Sequence, residues 1–191
     1  MKFISFWFDK PGTQYYHDAY LRLKTQMDYF GFSYDFENIK FSNKTYEQIC
    51  LHKPTFILDR LSKTDDSVCW IDIDCQFVQQ FNPDIFTGDM CLGKRDTEEL
   101  APHSAIVYCN NTPNTKQFIQ LWKNRCDLVK NDITYAGGDH CQLILTFQSN
   151  PIPDMSINQI DNLCSTYTNA SIHIGISDGG KEAENIKRMV I

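Results

Sequence analysis

The hexapeptide Cys69-Trp70-Ile71-Asp72-Ile73-Asp74 constrains this chain more than any other stretch. It starts as an apolar run and reads as a short strand from Val68 to Ile71, buried on both faces. It ends in two carboxylates one residue apart. Ionised carboxylates are costly to desolvate, so this strand end must open on water or on a cation. Residues 2–8 form a second apolar run of the same kind. Pro11-Gly12-Thr13 breaks it. Tyr16, Tyr20, Leu23, Met27 and Phe30 then recur at steps of four and three, one face of an amphipathic helix that Gly31 closes. Residues 32–36 alternate apolar and polar as a second strand would. Residues 45–62 read as helical, interrupted at Lys53-Pro54.

The second half continues the alternation. Residues 90–93 and 105–109 are strand-like. Residues 113–130 read as a helix with proline in its first turn and Phe118, Leu121, Trp122 and Cys126 on one face. Gly137-Gly138 precedes a shorter helix, about 139–147. Residues 150–170 read as irregular, 171–176 as a last strand and 181–190 as a final helix. Strands alternating with helices predict an α/β fold in one domain, with a mixed, mainly parallel sheet flanked by helices. In such sheets ligands bind beyond the carboxyl ends of the strands, where Asp72 and Asp74 fall.

Bulk properties exclude other classes. The chain has 191 residues, enough for one buried core, and a net charge of −6 with no basic run longer than a pair. Sequence-independent nucleic-acid binding needs a phosphate-neutralising surface, so no nucleic-acid partner is expected. No stretch approaches the roughly 20 apolar residues of a membrane span. The apolar N-terminal run stops at Asp9-Lys10, too short for a secretory signal. The eight cysteines are spread evenly, without metal-ligand spacing, and several sit in apolar runs, so they are expected to be reduced thiols in a cytoplasmic protein.

Mg²⁺ and Mn²⁺ are typically bound by one or two carboxylates plus phosphate oxygens. Asp72 and Asp74 are therefore expected to hold a divalent metal that neutralises a diphosphate. The alternative is a strand-end turn whose aspartates cap backbone groups.

The context of the pair resembles the GT-A fold glycosyltransferases. More closely, it resembles the small nucleotide-diphospho-sugar transferases encoded by large DNA viruses of algae. Lys53-Pro54-Thr55-Phe56-Ile57-Leu58, followed by Val68 to Asp74, is similar to the helix and strand that lead into that family's DxD motif. His103-Ser104-Ala105-Ile106-Val107-Tyr108 with Asn111-Thr112-Pro113 resembles its strand–helix join, although the family has Asn-Ser-Gly where this chain has His103-Ser104-Ala105. Gly137-Gly138-Asp139-His140-Cys141-Gln142 resembles its acidic helix start, and Ser171-Ile172-His173-Ile174-Gly175 its histidine strand.

The resemblance implies a GT-A-like (Rossmann-like) single domain, with a nucleotide-binding half at about 1–78 and an acceptor half at about 79–191. It implies a metal-dependent hexosyltransferase-like enzyme using a UDP-sugar donor and a glycan or glycoprotein acceptor, in host cytoplasm if a virus encodes it. Asp74 and Asp72 would ligate the metal, Asp72 also reaching the ribose, and His173 would be a third ligand. Lys53 would reach the diphosphate, with Arg60 the other candidate cation. Phe6 and Trp7 would frame the uracil, with core packing the simpler reading of Phe6. Asp139 would read sugar hydroxyls or serve as general base, although N-capping also accounts for it; Asp96 is the weaker alternative. Lys181, after Ser177-Asp178-Gly179-Gly180, would bind phosphate. Two rivals stand beside this reading. One is a non-catalytic sugar- or protein-binding domain of the same fold. The other is a phosphatase of the haloacid dehalogenase class, whose motif lies near the N-terminus with Thr or Val close behind, whereas Cys75-Gln76 follow here.

Overall fold

The computed structural model describes residues 1–9, 12–41, 44–94, 102–131, 138–149, 152–161, 163–165 and 172–173, and only the backbone of residues 164, 165 and 173. The elements run β1 (Lys2–Trp7), α1 (Tyr15–Phe30), β2 (Tyr34–Asn38), α2 (Tyr46–Cys50), α3 (Lys53–Ser62), β3 (Val68–Ile71) and β4 (Gln76–Phe77). A 3-10 turn at Pro83–Ile85 leads to β5 (Met90–Lys94), β6 (Pro102–Cys109), α4 (Pro113–Val129), α5 (Asp139–Ser149), β7 (Ile157–Ile160), β8 (Cys164–Ser165) and β9 (Ile172–His173).

The main sheet has the order β2-β1-β3-β6-β5-β7, and β4-β9-β8 form a small second sheet. β1 is parallel to β2 and β3, β7 is parallel to β5, and β6 is antiparallel to both β3 and β5. Every strand of the main sheet except β6 therefore points the same way. This is the mixed, mainly parallel sheet that the alternation of elements predicts.

The continuous apolar runs are explained by burial on both faces. Phe3, Cys69 and Ile71 pack with Leu23 and Met27 of α1 and with Phe77, Phe81 and Phe86. Their neighbours Ile4, Phe6, Val68 and Trp70 pack on the other face with Ile57, Phe118, Trp122 and Leu143 of α3, α4 and α5. Successive residues of a strand face opposite ways, so a strand between two layers has no polar position to spare.

Local chemistry sets the helix ends. Gly31 takes the left-handed conformation, with φ of 69°, and the Gly31 and Phe32 amides close on Asp28 O and Met27 O. That is a Schellman cap, and it commits Phe32 to the helix exit. β2 consequently starts at Tyr34, two residues later than the alternation suggests. At the front of α1, Asp9 Oδ1 accepts from the Tyr16 and His17 amides, at 2.9 and 3.2 Å. The helical stretch 45–62 divides where Lys53-Pro54 predicts, and the reciprocal Thr45–Gln48 capping box starts its first piece.

Two expectations change. Residues 150–170 are not wholly irregular, because Ile157–Ile160 is the edge strand beside β5. Its polar pair Asn158-Gln159 hides the period, and pairing with β5 defines the strand. β4 is only two residues long and is likewise defined by its partners. Gln26 of α1 imitates a strand edge against it, donating from Nε2 to Phe77 O (2.8 Å) and accepting from Phe77 N (3.0 Å). The final helix expected at 181–190 lies outside the described residues. No helix among the described residues is long and apolar enough to cross a membrane.

At the sheet end remote from the two aspartates, Gly88 has φ of 78°, and a Cβ there would meet Ser156 Oγ at 2.5 Å. Gly88→Ala is expected to destabilise the fold by about 1–3 kcal/mol, read as a lower unfolding midpoint in urea. A midpoint equal to the parent's would refute the close approach of β5 and β7 at this corner.

Candidate active site

The carboxylates leave β3 on a tight turn. Asp72 N donates to Ala105 O (2.8 Å), and Cys75 N donates back to Asp72 O (2.9 Å). Asp72 and Asp74 line a cleft of about 300 Å³ at the carboxyl end of β3. β3 lies between β1 and β6, so the cleft has two different sides. On the β1 side stand Trp7, Phe8, Tyr16 and Tyr46. On the β6 side stand Lys53, His103, Ser104 and Asp139.

The aromatic side is stacked. Trp7 lies on Tyr20 (5.2 Å, 14°), Phe8 on Tyr16 (5.3 Å, 26°), and Tyr16 is parallel to Tyr46 (6.4 Å, 16°). Burial pushes both phenols, Tyr16 and Tyr46, above the usual range, so they stay protonated. Burial first, and the Asp139 charge second, push the Cys50 thiol beside them up to about 12, so it is no thiolate.

The polar side centres on Lys53, the first residue of α3, which is only 4% exposed. Its ammonium lies 2.8 Å from Asp72 Oδ1 and 2.8 Å from Asp139 Oδ2. It also donates to Ser104 O (3.0 Å) and Ser104 Oγ (3.3 Å), and it sits 5.3 Å from the centre of the Trp70 ring. Burial disfavours this charge, but Asp139 and then Asp72 outweigh burial and hold the ammonium above its usual range. Trp70 Nε1 donates to the same Asp72 oxygen at 2.7 Å. Asp139 is fixed from behind, since its main-chain oxygen accepts from Trp122 Nε1 of α4 at 2.9 Å.

A β-bulge delivers Ser104. β5 and β6 pair regularly as far as Leu92 with Val107, and then Gly93 pairs with His103. Ser104, Ala105 and Ile106 are skipped by β5 and swing toward β3, whose Ile71 pairs with Ile106. Bulges beside sites commonly re-aim side chains in this way.

Asp74 differs from its partner. Its main-chain oxygen accepts from Arg22 Nη2 of α1 at 3.4 Å. Its carboxyl is pushed up to about 6, first by burial and then by the Asp72 charge. A half-buried carboxylate repelled by its neighbour suits a hard cation, so Asp72 and Asp74 fit a divalent metal. Among the described residues no cluster of three or more His, Cys, Asp or Glu forms a ready metal cage. The His173 side chain lies outside the described residues. Its backbone pairs with Gln76, two residues beyond Asp74, so β9 runs beside the exit of the aspartate turn.

The structure thus brings Trp7, Lys53, Asp72, Asp74 and Asp139 to one cleft. Phe6 borders it but is mostly core, against Phe41, Phe56 and Trp70. Arg60 is placed elsewhere: it pairs with Asp35, Glu37 and Asp59 and stacks on Phe56. It joins α3 to β2 and does not line the cleft. Lys53 points at carboxylates and Ser104, which already engage its protons. Asp139 sits in the first turn of α5 and sends its carboxylate to Lys53. Asp96 and Lys181 lie outside the described residues. Sequence reading missed Phe8, Tyr16, Tyr46, Trp70, His103 and Ser104 as cleft residues. The aromatic density at 6–8 and 15–16 was the available signal.

No family model matches the sequence, and no curated protein is detectably similar to it. Among solved structures, the fold matches that of a glycosyltransferase involved in the glycosylation of the major capsid of PBCV-1. The TM-score is 0.60, with 10% identity over 98% of each chain. The glycosyltransferase GlyE of Streptococcus pneumoniae TIGR4 gives a TM-score of 0.48 and 14% identity, over 83% of this chain and 44% of that one. The fold is of the GT-A type, as the sequence resemblance implies.

Two outcomes follow. Lys53→Met leaves Asp72 and Asp139 without their counter-ion and is expected to cost about 3–5 kcal/mol in urea unfolding; a loss under about 1 kcal/mol would refute the buried pairing. For Asp74, the folded pKa near 6 lies above the ordinary value of about 4. The native state therefore binds this proton more tightly than the unfolded state, and stability falls as pH rises from about 4 to 6. Asp74→Asn removes that penalty and is expected to stabilise the metal-free protein by about 1–2 kcal/mol at pH 7.5, with the gain fading toward pH 4. A variant no more stable than the parent at pH 7.5 would contradict the burial of Asp74.

Proposed function

We propose that this chain is a metal-dependent glycosyltransferase that moves a sugar from a UDP-sugar to a hydroxyl of a glycan or glycoprotein. The reading rests on the order of chemistry across the cleft: stacked aromatic rings on the β1 side, the Asp72–Asp74 pair at β3, and carboxylates with hydroxyl and imidazole groups on the β6 side. A nucleotide-sugar has the same order, with a flat base, a doubly charged diphosphate and a hydroxylated ring. The fold shared with the PBCV-1 protein supports glycosyl transfer, and that protein's involvement in capsid glycosylation supports a glycoprotein acceptor.

In this reading Asp74, the second oxygen of Asp72 and His173 would hold Mn²⁺ or Mg²⁺. The bound ion would supply charge neutralisation for the departing diphosphate. The chain's own residues do the rest. Trp7 and the Tyr16–Tyr46 wall offer faces to the base. Lys53 fixes Asp72 and Asp139 so that Asp72 keeps its second oxygen for the metal and Asp139 keeps one for a sugar hydroxyl. Asp139 reads the sugar or takes the acceptor proton. Lys181 would add a cation for the phosphate. The nucleotide is held by residues of about 1–78 and the acceptor by residues of about 79–191. Among the described residues, seven cysteines form no disulfide, which supports a reducing compartment, the cytoplasm of the cell or of a viral host.

The test is incubation with Mn²⁺ and a panel of nucleotide-sugars, with released nucleoside diphosphate as the readout. Turnover or metal-dependent UDP binding is expected, and Asp74→Ala is expected to weaken UDP binding in Mn²⁺ at least about tenfold while the protein stays folded. Absence of both turnover and UDP binding across the panel would overturn the reading.

A further inference from the structure

We propose that Trp70 sets which divalent cation the aspartate pair accepts, by leaving Asp72 one oxygen to offer; this rests on the metal-dependent reading above. Trp70 and Asp72 are two positions apart, and the ladder to β6 continues through the Asp72 amide, so both side chains leave the same face of β3. Trp70 Nε1 donates to Asp72 Oδ1 at 2.7 Å, and the Lys53 ammonium lies 2.8 Å from the same atom. A carboxylate oxygen has about two lone-pair sites, so these two donors fill Oδ1. Trp70 and Lys53 are only 2% and 4% exposed, whereas the Asp72 side chain is 29% exposed and lines the cleft. The oxygen left for a ligand is therefore Oδ2. The indole is also a rigid donor. Its ring packs on Phe6 (5.2 Å) and Phe56 (5.8 Å), with the Lys53 ammonium 5.3 Å from its centre.

Lys53 alone balances the charge of Asp72. What the indole adds is direction. Turning the carboxylate to present both oxygens to one ion would break the Trp70 bond and leave a buried N–H unpaired, which is costly. Cations differ in how much that matters. Ca²⁺ takes about six to eight oxygens at about 2.3–2.6 Å and readily uses both oxygens of a carboxylate, whereas Mg²⁺ demands a near-octahedral shell at about 2.0–2.1 Å. Mn²⁺ also suits an octahedral shell of oxygens. An Asp72 held to one oxygen serves the octahedral ions and withholds from Ca²⁺ a ligand that its larger shell can use. Trp70 touches Asp72 and not the ion, so it is a positioning residue.

The experiment measures Mn²⁺ binding in saturating UDP by electron paramagnetic resonance, and Ca²⁺ binding by competition against it. The wild-type chain should prefer Mn²⁺. Trp70→Phe keeps a ring against Phe6 and Phe56 but has no N–H. It should weaken Mn²⁺ about tenfold and leave Ca²⁺ unchanged or tighter, so that the preference for Mn²⁺ shrinks by about tenfold or more. If Trp70→Phe does not fold, 3-benzothienylalanine at position 70, which keeps the shape of the indole with sulfur in place of its N–H, carries the same comparison. A wild-type preference for Ca²⁺, an unchanged preference in the variant, or equal losses for the two ions, as simple repacking would give, would overturn the assignment of Trp70. Failure of the wild-type chain to bind Mn²⁺ with UDP at all would instead overturn the metal-dependent reading on which it rests.

Discussion

The ammonium of Lys53 is the hinge of this molecule. A positive charge at the start of a helix opposes the helix dipole, and a buried one is costly to desolvate. Two carboxylates, a carbonyl and a hydroxyl surround it, and they come from three separate elements. Asp72 arrives from the end of β3, Asp139 from the first turn of α5 and Ser104 from the bulge of β6. None of these groups is well placed alone. Together they fix how α3, β3, β6 and α5 meet, and hence the shape of the polar half of the cleft. Replacing such a cluster with apolar residues can leave stability unchanged or raise it. Its presence is therefore better explained by the oxygens it positions at the cleft than by the energy it adds.

Asp74 illustrates the same economy from the other side. Burial and then the Asp72 charge outweigh what Lys53 and Arg22 offer it from a distance, and its raised proton affinity is the consequence. Stability alone favours an amide at this position. A residue that costs stability, placed on a turn where two carboxylates repel, marks a place tuned for something other than folding. On the proposed reading that something is a divalent ion, which would relieve the repulsion only when bound.

Much of the frame was legible because it is local. The two-faced burial of β1 and β3 leaves unbroken apolar runs, the Gly31 cap ends α1 where the periodicity stops, and Pro54 splits the helical stretch near Lys53. What was not legible is set by partners far along the chain. β4 and β7 are strands only because β9 and β5 lie beside them. Tyr16 carries the helical period of a core residue, yet it ends at the cleft because α2 brings Tyr46 alongside. Lys53 reads as a cation for an incoming anion, but its anions are already in the protein, 19 and 86 positions away along the chain. Arg60 shows the same effect, since the acidic residues of β2 claim it first.

The reversal of β6 completes the argument. Had β6 run parallel to β3, the carboxyl end of β3 would lie beside another carboxyl strand end. Because β6 runs the other way, the start of β6 lies there, and the bulge at Ser104 opens beside the aspartate turn. On the opposite flank β1 is parallel, so its last residues, Trp7 and the adjoining Phe8, reach the cleft as it ends. One flank therefore contributes a strand end rich in rings. The other contributes a strand start whose backbone is free to bulge and to pin His103 and His140 by their Nδ1 atoms. The asymmetry of the cleft, aromatic on one side and polar on the other, follows from the direction of a single strand.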